Sequence, residues 1–161
     1  MKTVSLFGHG LLFNKKLVSQ RLFNLLKEIV PQGFTNFLIG CHGDFDNISL
    51  TECKRYKEKV DENVNVCVVL TSLSYLSRQK CDYSLADLYD FENCQTVFYD
   101  IEDKHYKNRI TYSNKKMIDN SDLIICYVDM KSYKSGAKNA IKYAIKNNKK
   151  IINLYSEDDK I

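Results

Sequence analysis

The chain has 161 residues, of which 44% are hydrophobic and 27% are charged, and a formal net charge of +4 at pH 7. This length and composition predict one compact globular domain over residues 1–161 and exclude a disordered protein. No apolar run approaches the ~20 residues that span a bilayer, so no membrane partner is expected. The mild charge permits an anionic ligand but gives no strong nucleic-acid signal.

The predicted elements alternate between strand and helix along the chain. In order, they are a strand at Thr3–Phe7, a helix at Lys15–Val30, a strand at Thr35–Ile39, a helix from about Asp46 to Val60, strands at Asn65–Leu70 and Gln95–Tyr99, a helix at about Tyr106–Asn120, a strand at Asp122–Val128, a helix over 136–148 and a strand at Lys150–Leu154. Ser49 and Glu52 have the spacing of a capping box. Residues 72–94 show no clear period and are expected to form a loop with one short helix, and residues 155–161 a short acidic tail.

The strands at Asn65–Leu70, Asp122–Val128 and Lys150–Leu154 are continuous apolar runs without polar alternation. This pattern is typical of strands that helices cover on both faces, as in parallel sheets. Because the crossovers between parallel strands are right-handed, the chain is predicted to be an α/β protein. The expected fold is Rossmann-like and doubly wound, with a mostly parallel sheet of about six strands between helix layers.

The N-terminus and the cysteines bear on where the protein works. Residues 1–10 carry one lysine and an apolar run too short and too broken for a signal peptide, so a cytoplasmic location is predicted. The six cysteines lie far apart without a CxxC pair, and several fall inside apolar runs. They are therefore expected to be reduced and to pack as small hydrophobic residues.

Three glycine-bearing turns fall at the predicted carboxyl ends of strands: Gly8-His9-Gly10, Gly40-Cys41-His42-Gly43 and Ser135-Gly136. Ligands of open α/β sheets bind beyond these strand ends. Glycine lets backbone N–H groups approach a phosphate, and a helix N-terminus adds a partial positive charge. The three turns together predict a nucleotide cleft, although each one by itself is equally explained as a plain turn.

Standard nucleotide and nucleophile motifs are absent from the sequence. Gly8-x-Gly10 lacks the third glycine of the dinucleotide fingerprint because position 13 is Phe, and no acidic residue follows at the ribose-binding spacing. There is no GKS or GKT of a P-loop and no GxSxG. No catalytic residue is therefore assigned.

The histidines and aspartates near the turns leave several roles open. His9 and His42, with Cys41 and Asp44 nearby, could in principle build a metal site, but no pair has metal-ligand spacing, so no metal is predicted. Asp44 and Asp46 could act as acid–base groups. Asp46 is equally consistent with a helix N-cap.

Four segments in order resemble one family. They are TVSLFGHG (3–10), FLIGCHGDFDNISLTECKRYKE (37–58), NKKMIDNSDLIICYV (114–128) and SGAKNAIKYAIKNNKKIINL (135–154). They resemble the SLOG superfamily, and more narrowly its small stand-alone YpsA-like members. That superfamily groups the Lonely-Guy phosphoribohydrolases, the DNA-processing protein A domain and sensor domains that bind nucleotide-derived ligands. The resemblance implies a Rossmann-like sheet with a nucleotide pocket built from the three turns.

The resemblance and the turns together give the candidate ligand-binding residues, which are Gly8, His9, Gly10, Gly40, His42, Gly43, Asp44, Phe45, Asp46, Asn114, Ser135 and Gly136. Relatives usually carry arginine where this chain has Gly10 and Ser113. The catalytic glutamate of the Lonely-Guy enzymes has no counterpart, because no acidic residue lies between Gly136 and Leu154. Arg109, Lys115 or Lys138 could replace the missing positive charge.

These features favour a binding protein for a nucleotide or a nucleotide-derived, ADP-ribose-like signalling molecule. It would act as a sensor or a sequestering protein, for example in the contest between phages and host defences. The turns would contact phosphates, Asp44 or Asp46 a ribose hydroxyl, and Phe45 or a nearby tyrosine the base. No cofactor is expected besides such a ligand, and the resemblance alone implies a homo-oligomer.

Two other functions stay open. One is a nucleoside 5′-monophosphate phosphoribohydrolase or related N-glycosidase, in which Asp44 or Asp46 supplies the carboxylate. The other is a protein-interaction module that keeps the fold and has lost the ligand, for which the 11 tyrosines would suit a partner surface.

Overall fold

The structure is a computed structural model that describes residues 1–71, 94–99 and 105–159. Its strands are β1 (Lys2–Gly8), β2 (Phe34–Ile39), β3 (Asn65–Leu70), β4 (Gln95–Phe98), β5 (Leu123–Tyr127) and β6 (Lys150–Asn153). Its helices are α1 (Lys15–Ile29), α2 (Asp44–Lys59), α3 (Tyr106–Asp119) and α4 (Gly136–Lys146), with short 3-10 turns at Val30–Gln32 and Glu157–Asp159. The loop predicted over 72–94 lies outside the described residues except for residue 94.

The strands form one six-stranded sheet in the order β4-β3-β2-β1-β5-β6, and every neighbouring pair is parallel. The chain proceeds outward from β1 to β4 and then returns to place β5 on the other side of β1. The order of the strands therefore reverses between β1 and β5. The predicted Rossmann-like α/β fold with a parallel sheet is confirmed.

Helices cover both faces of the sheet, and each face has its own apolar core. One core joins α1 and α2 to side chains such as Val4 and Leu6 of β1. The other joins α3 and α4 to Phe7 and to the alternate residues of β5. All five residues of β5 are consequently buried, as its unbroken apolar run predicts. In contrast, β6 is an edge strand, and its four residues are exposed or half-buried.

Helix α2 begins two residues earlier than predicted. Gly43 is its N-cap, and Asp44 and Asp46 lie in the first turn, where negative charge is favourable. The predicted capping box is wrong, because Ser49 and Glu52 are buried in the helix interior. The Glu52 carboxylate instead accepts a hydrogen bond of 2.5 Å from the Ser19 hydroxyl of α1. Asp46 is likewise not the N-cap.

The acidic C-terminal segment is packed against the domain as far as residue 159. The Asp159 side chain is 2% exposed and pairs with the Arg21 guanidinium of α1 at 2.6 Å. It also accepts a hydrogen bond of 3.1 Å from the Tyr127 hydroxyl at the end of β5. The Arg21 hydrogen bonds hold the pKa of Asp159 below its usual value, so the pair is charged at neutral pH. In the part of the chain that is described, no helix has the length and apolar character to cross a membrane.

Candidate functional site

A cavity of about 230 Å³, called here the first cavity, opens at the carboxyl ends of β1 and β2 beside the reversal of strand order. Ten of the twelve candidate residues line it, namely Gly8, His9, Gly10, Gly40, His42, Gly43, Asp46, Asn114, Ser135 and Gly136. Phe7, Ile110 and Ala137 complete the described lining. The structure thus brings the three predicted turns and helix α3 together around one space.

The first two turns are held together by a close approach of their backbones. The Asp44 N–H donates a hydrogen bond of 2.9 Å to the Gly10 carbonyl oxygen. A Cβ atom at Gly43 would lie 2.5 Å from the Gly10 Cα, closer than any side chain allows. Gly43 is therefore required for the packing of the two turns, whether or not a ligand binds.

Phe45 is not available to stack on a base, which corrects that part of the prediction. Its side chain is fully buried, and its ring stacks on the Tyr127 ring with centroids 6.3 Å apart. It also occupies the space beside Gly8, where a Cβ atom would lie 2.3 Å from the Phe45 ring. The absence of a side chain at Gly8 is what admits the Phe45 ring.

Asp44 also differs from the prediction, because it does not line the first cavity. Its carboxylate accepts a hydrogen bond of 2.9 Å from the Leu12 N–H and lies 3.2 Å from the Lys15 ammonium. Asp44 therefore ties the β1–α1 loop to the start of α2. This leaves Asp46 as the acidic residue among the described residues that line the first cavity.

Asp46 is poised to exchange a proton near neutral pH. One of its carboxylate oxygens accepts a hydrogen bond of 2.9 Å from the His42 N–H. Burial nevertheless raises the pKa of Asp46 to about 6. A carboxyl group with this pKa serves either as a hydrogen-bond acceptor for a ribose hydroxyl or as a general acid or base.

The raised pKa of Asp46 predicts a pH-dependent stability. Between the ordinary value of 3.8 and about 6, the folded protein keeps the proton that the unfolded chain has released. The free energy of unfolding of the wild-type protein is therefore expected to fall by about 2–3 kcal/mol, relative to Asp46→Asn, as the pH rises through this window. Urea denaturation of both proteins at a series of pH values measures the difference. Asparagine keeps an oxygen that can accept the hydrogen bond from the His42 N–H but does not titrate, so it is a suitable reference. Parallel pH profiles of the two proteins would contradict the prediction.

His9 links the ends of β1 and β5 across the reversal point. Its Nε2 accepts a hydrogen bond of 2.9 Å from the Asp129 N–H, and its own backbone N–H donates to the Tyr127 carbonyl. Burial lowers the pKa of His9, although the Asp129 charge opposes this, so the ring is neutral with its proton on Nδ1. Burial also lowers the pKa of His42. Within the described ranges, no three His, Cys, Asp or Glu side chains are grouped to hold a metal ion.

The first turn of α4 forms the wall opposite the glycine turns. The Ser135 hydroxyl oxygen caps the helix by accepting a hydrogen bond of 3.1 Å from the Lys138 N–H. The N–H groups of Gly136 and Ala137 have no acceptor within an α-helix, and both residues line the first cavity. This helix end carries about half a positive charge and is suited to an anion.

The three basic residues suggested to replace the missing arginines do not line the first cavity. The Lys138 ammonium donates a hydrogen bond of 2.6 Å to the Ser132 carbonyl oxygen. The Lys115 ammonium lies 5.3 Å from the centre of the Tyr143 ring, and Arg109 lines neither cavity described here. Among the described residues, positive potential in the first cavity therefore comes from backbone N–H groups and the end of α4.

A second cavity of about 430 Å³ adjoins the first and shares His9, Gly10 and Ser135 with it. The rest of its described lining is Leu11, Leu12, Phe13, Asn14, Tyr127, Asp129, Ser132, Tyr133, Lys134, Tyr155 and Asp159. Sequence reasoning did not single out these residues. The feature of the sequence that could have indicated this cavity is the set of apolar and aromatic residues that flank the glycine turns, above all Phe13 and Tyr133.

No protein-family model matches this chain, and no curated protein matches it in sequence. Its fold and its two adjoining cavities are therefore the observations from which a function can be argued.

Proposed function

We propose that this protein is a SLOG-like binding protein that holds a nucleotide or a nucleotide-derived, ADP-ribose-like signalling molecule at the carboxyl ends of β1 and β2, beside the reversal of strand order. The observation that carries the proposal is the first cavity, whose lining contains ten of the twelve residues that the sequence predicts to bind a ligand. The protein would act as a sensor or a sequestering protein. Its role in phage–host signalling and its homo-oligomeric state are further parts of the proposal, carried by the resemblance alone.

The chemistry of the first cavity supports a phosphate-bearing ligand. Its α4 wall offers the N–H groups of Gly136 and Ala137 together with the positive end of the helix dipole. Gly10 lies on the facing turn and also lines the first cavity, and a Cβ atom there would make only an ordinary van der Waals contact, 3.8 Å from the His42 carbonyl oxygen. A phosphate can therefore approach backbone atoms on both sides.

The polar side chains of the first cavity suit a ribose. A carboxylate that accepts hydrogen bonds from ribose hydroxyls is a recurring feature of nucleotide-binding α/β folds. Asp46 in the first turn of α2 supplies such a carboxylate to the lining of the first cavity. Asn114 on α3 also lines the cavity, and its side-chain amide has both a hydrogen-bond donor and an acceptor. The ligand would thus lie with its phosphate at α4 and its sugar between Asp46 and Asn114.

A second candidate, an N-glycosidase acting on nucleoside monophosphates, is favoured by one observation, the raised pKa of Asp46. A carboxyl group with a pKa near 6 can give a proton to a departing base. However, Asp46 would have to perform both proton donation and activation of water. The described lining of the first cavity offers no second carboxylate, so the binding function is the better supported.

Identification of a co-purified ligand tests the proposal. The protein is denatured, the released small molecules are identified by mass spectrometry, and nucleotides and ADP-ribose are then tested by thermal shift. A ligand at 100 times its dissociation constant should raise the free energy of unfolding by about 2.7 kcal/mol. An intact nucleotide that stabilises the protein supports the proposal. A free base released by the wild-type protein and not by Asp46→Asn would support the glycosidase instead. The absence of any ligand would contradict both and favour a protein-interaction module.

A further inference from the structure

We propose that the second cavity is the subsite for the flat heteroaromatic ring of the same ligand, which spans both cavities across the ridge formed by His9, Gly10 and Ser135. This inference rests on the proposed function and names where the base of the nucleotide lies. The rings that contact the base belong to Tyr133 and Phe13, two residues outside the predicted site.

The sizes of the two cavities are the first argument. Pockets that hold drug-sized molecules usually have volumes of about 300–1,000 Å³. The first cavity, at about 230 Å³, lies below this range, although it is adequate for a sugar phosphate. The second cavity adds about 430 Å³ directly beside it, with three lining residues in common. A ligand that begins in the first cavity therefore continues into the second.

The exposed aromatic side chains are the second argument. Tyr133 in the β5–α4 loop is 95% exposed and Phe13 in the β1–α1 loop is 75% exposed, and both line the second cavity. Leu11, which is 69% exposed, adds to this apolar rim. Bases stack on such rings, and stacking removes their apolar faces from water. The Phe45 ring cannot stack on a base, because it is fully buried.

The third argument is that Tyr127 and Tyr155, which line the second cavity, are held in place by contacts within the protein. The rings of Tyr127 and Tyr155 meet edge to face with centroids 5.4 Å apart. The Tyr127 hydroxyl donates a hydrogen bond of 3.1 Å to Asp159, which Arg21 holds in turn. Because Tyr127 and Tyr155 are held by these contacts, their side chains lose little conformational entropy when a planar group binds beside them.

Calorimetric titrations with three probes test this assignment. Ribose 5-phosphate represents the sugar-phosphate part of the ligand, which fits the first cavity. Adenosine represents the part that carries the ring, and adenosine 5′-monophosphate contains both parts. We expect Tyr133→Ala to weaken binding of the monophosphate about tenfold, which corresponds to about 1.4 kcal/mol of lost stacking. Binding of ribose 5-phosphate should not change. Phe13→Ala should act in the same direction, and Tyr112→Ala, which removes a 42% exposed ring that lines neither cavity, should have no effect.

The other outcomes separate this inference from the proposed function. If the monophosphate binds the wild-type protein and Tyr133→Ala equally well, the ring subsite is wrong and the nucleotide function stands. If only adenosine binds, and Tyr133→Ala abolishes it, the phosphate site is wrong and the ring subsite stands. Failure of all three probes, together with failure of the nucleotides and ADP-ribose in the thermal-shift test, overturns both. A change in oligomeric mass on Tyr133→Ala without a change in affinity would also overturn the subsite, because the rings would then form an interface between copies of the chain.

Discussion

Replacing Phe45 with alanine is expected to lower the free energy of unfolding by about 3–5 kcal/mol. The ring is fully buried and stacks on Tyr127, so its removal leaves a void between α2 and the end of β1. Denaturation with urea and linear extrapolation measures the loss. The matched control is Phe13→Ala, which removes a ring that is 75% exposed and should change the stability by less than about 0.5 kcal/mol.

The same packing predicts strong coupling between Phe45 and Gly8. Gly8→Ala alone should be severely destabilising, because the new methyl group would lie 2.3 Å from the Phe45 ring. A Phe45→Ala background removes the ring atoms but keeps the Phe45 Cβ, which would still lie 2.5 Å from the new methyl group, so the additional cost should be smaller without vanishing. A double-mutant cycle measures this difference. Equal costs of Gly8→Ala in both backgrounds would show that Phe45 does not occupy the space that Gly8 leaves.

Gly136→Leu is expected to weaken binding of the phosphate-bearing ligand by at least about 100-fold, equivalent to about 2.7 kcal/mol. A Cβ atom at Gly136 meets no atom within 4 Å, so a side chain can begin there without a clash at its Cβ. Its side chain would fill part of the first cavity and cover the first N–H groups of α4. Leucine is also a better helix former than glycine, so the free energy of unfolding should not fall. Calorimetry and thermal shift with the identified ligand measure both effects.

The matched control for this variant is Asn139→Leu. It introduces the same side chain one turn further along α4, at an exposed position that lines neither cavity. Its affinity should equal that of the wild-type protein. Full affinity in Gly136→Leu would contradict the proposed position of the phosphate. Gly8 is unsuitable for such a blocking test, because any side chain there collides with Phe45.

The fold could be predicted largely from the pattern of apolar residues. Unbroken apolar runs at β3 and β5 reflect burial on both faces, which is a local signal of a parallel sheet between helices. The strand order could not be predicted in this way. The edge position of β6 could not be predicted either, although its apolar residues Ile151 and Ile152 are only half-buried and Lys150 and Asn153 are exposed. Pairing between strands depends on contacts that are distant in sequence. The acidic residues after β6 likewise gave no sign that Asp159 pairs with Arg21 of α1.

The positions of the glycine turns could be predicted for a simple geometric reason. The carboxyl ends of parallel strands lie at one edge of a sheet, so the turns after β1, β2 and β5 have to lie close together. The tasks of individual side chains in those turns could not be predicted. Asp44 and Asp46 are two residues apart in one helical turn, yet the helix directs Asp46 into the first cavity and Asp44 towards Lys15.

The amino-acid sequence alone therefore determined the class of fold and the edge of the sheet where a ligand would lie, because both follow from periodicity and from turns that are local in the chain. Only the tertiary structure decided that Phe45 is a core residue, that Asp46 is the carboxylate in the described lining of the first cavity, and that a second cavity exists beside it. The second cavity joins Phe13, Tyr133 and Tyr155, which are more than a hundred residues apart at the extremes. No local sequence pattern predicts that these residues lie close together, because their proximity arises only when the sheet and its helix layers pack.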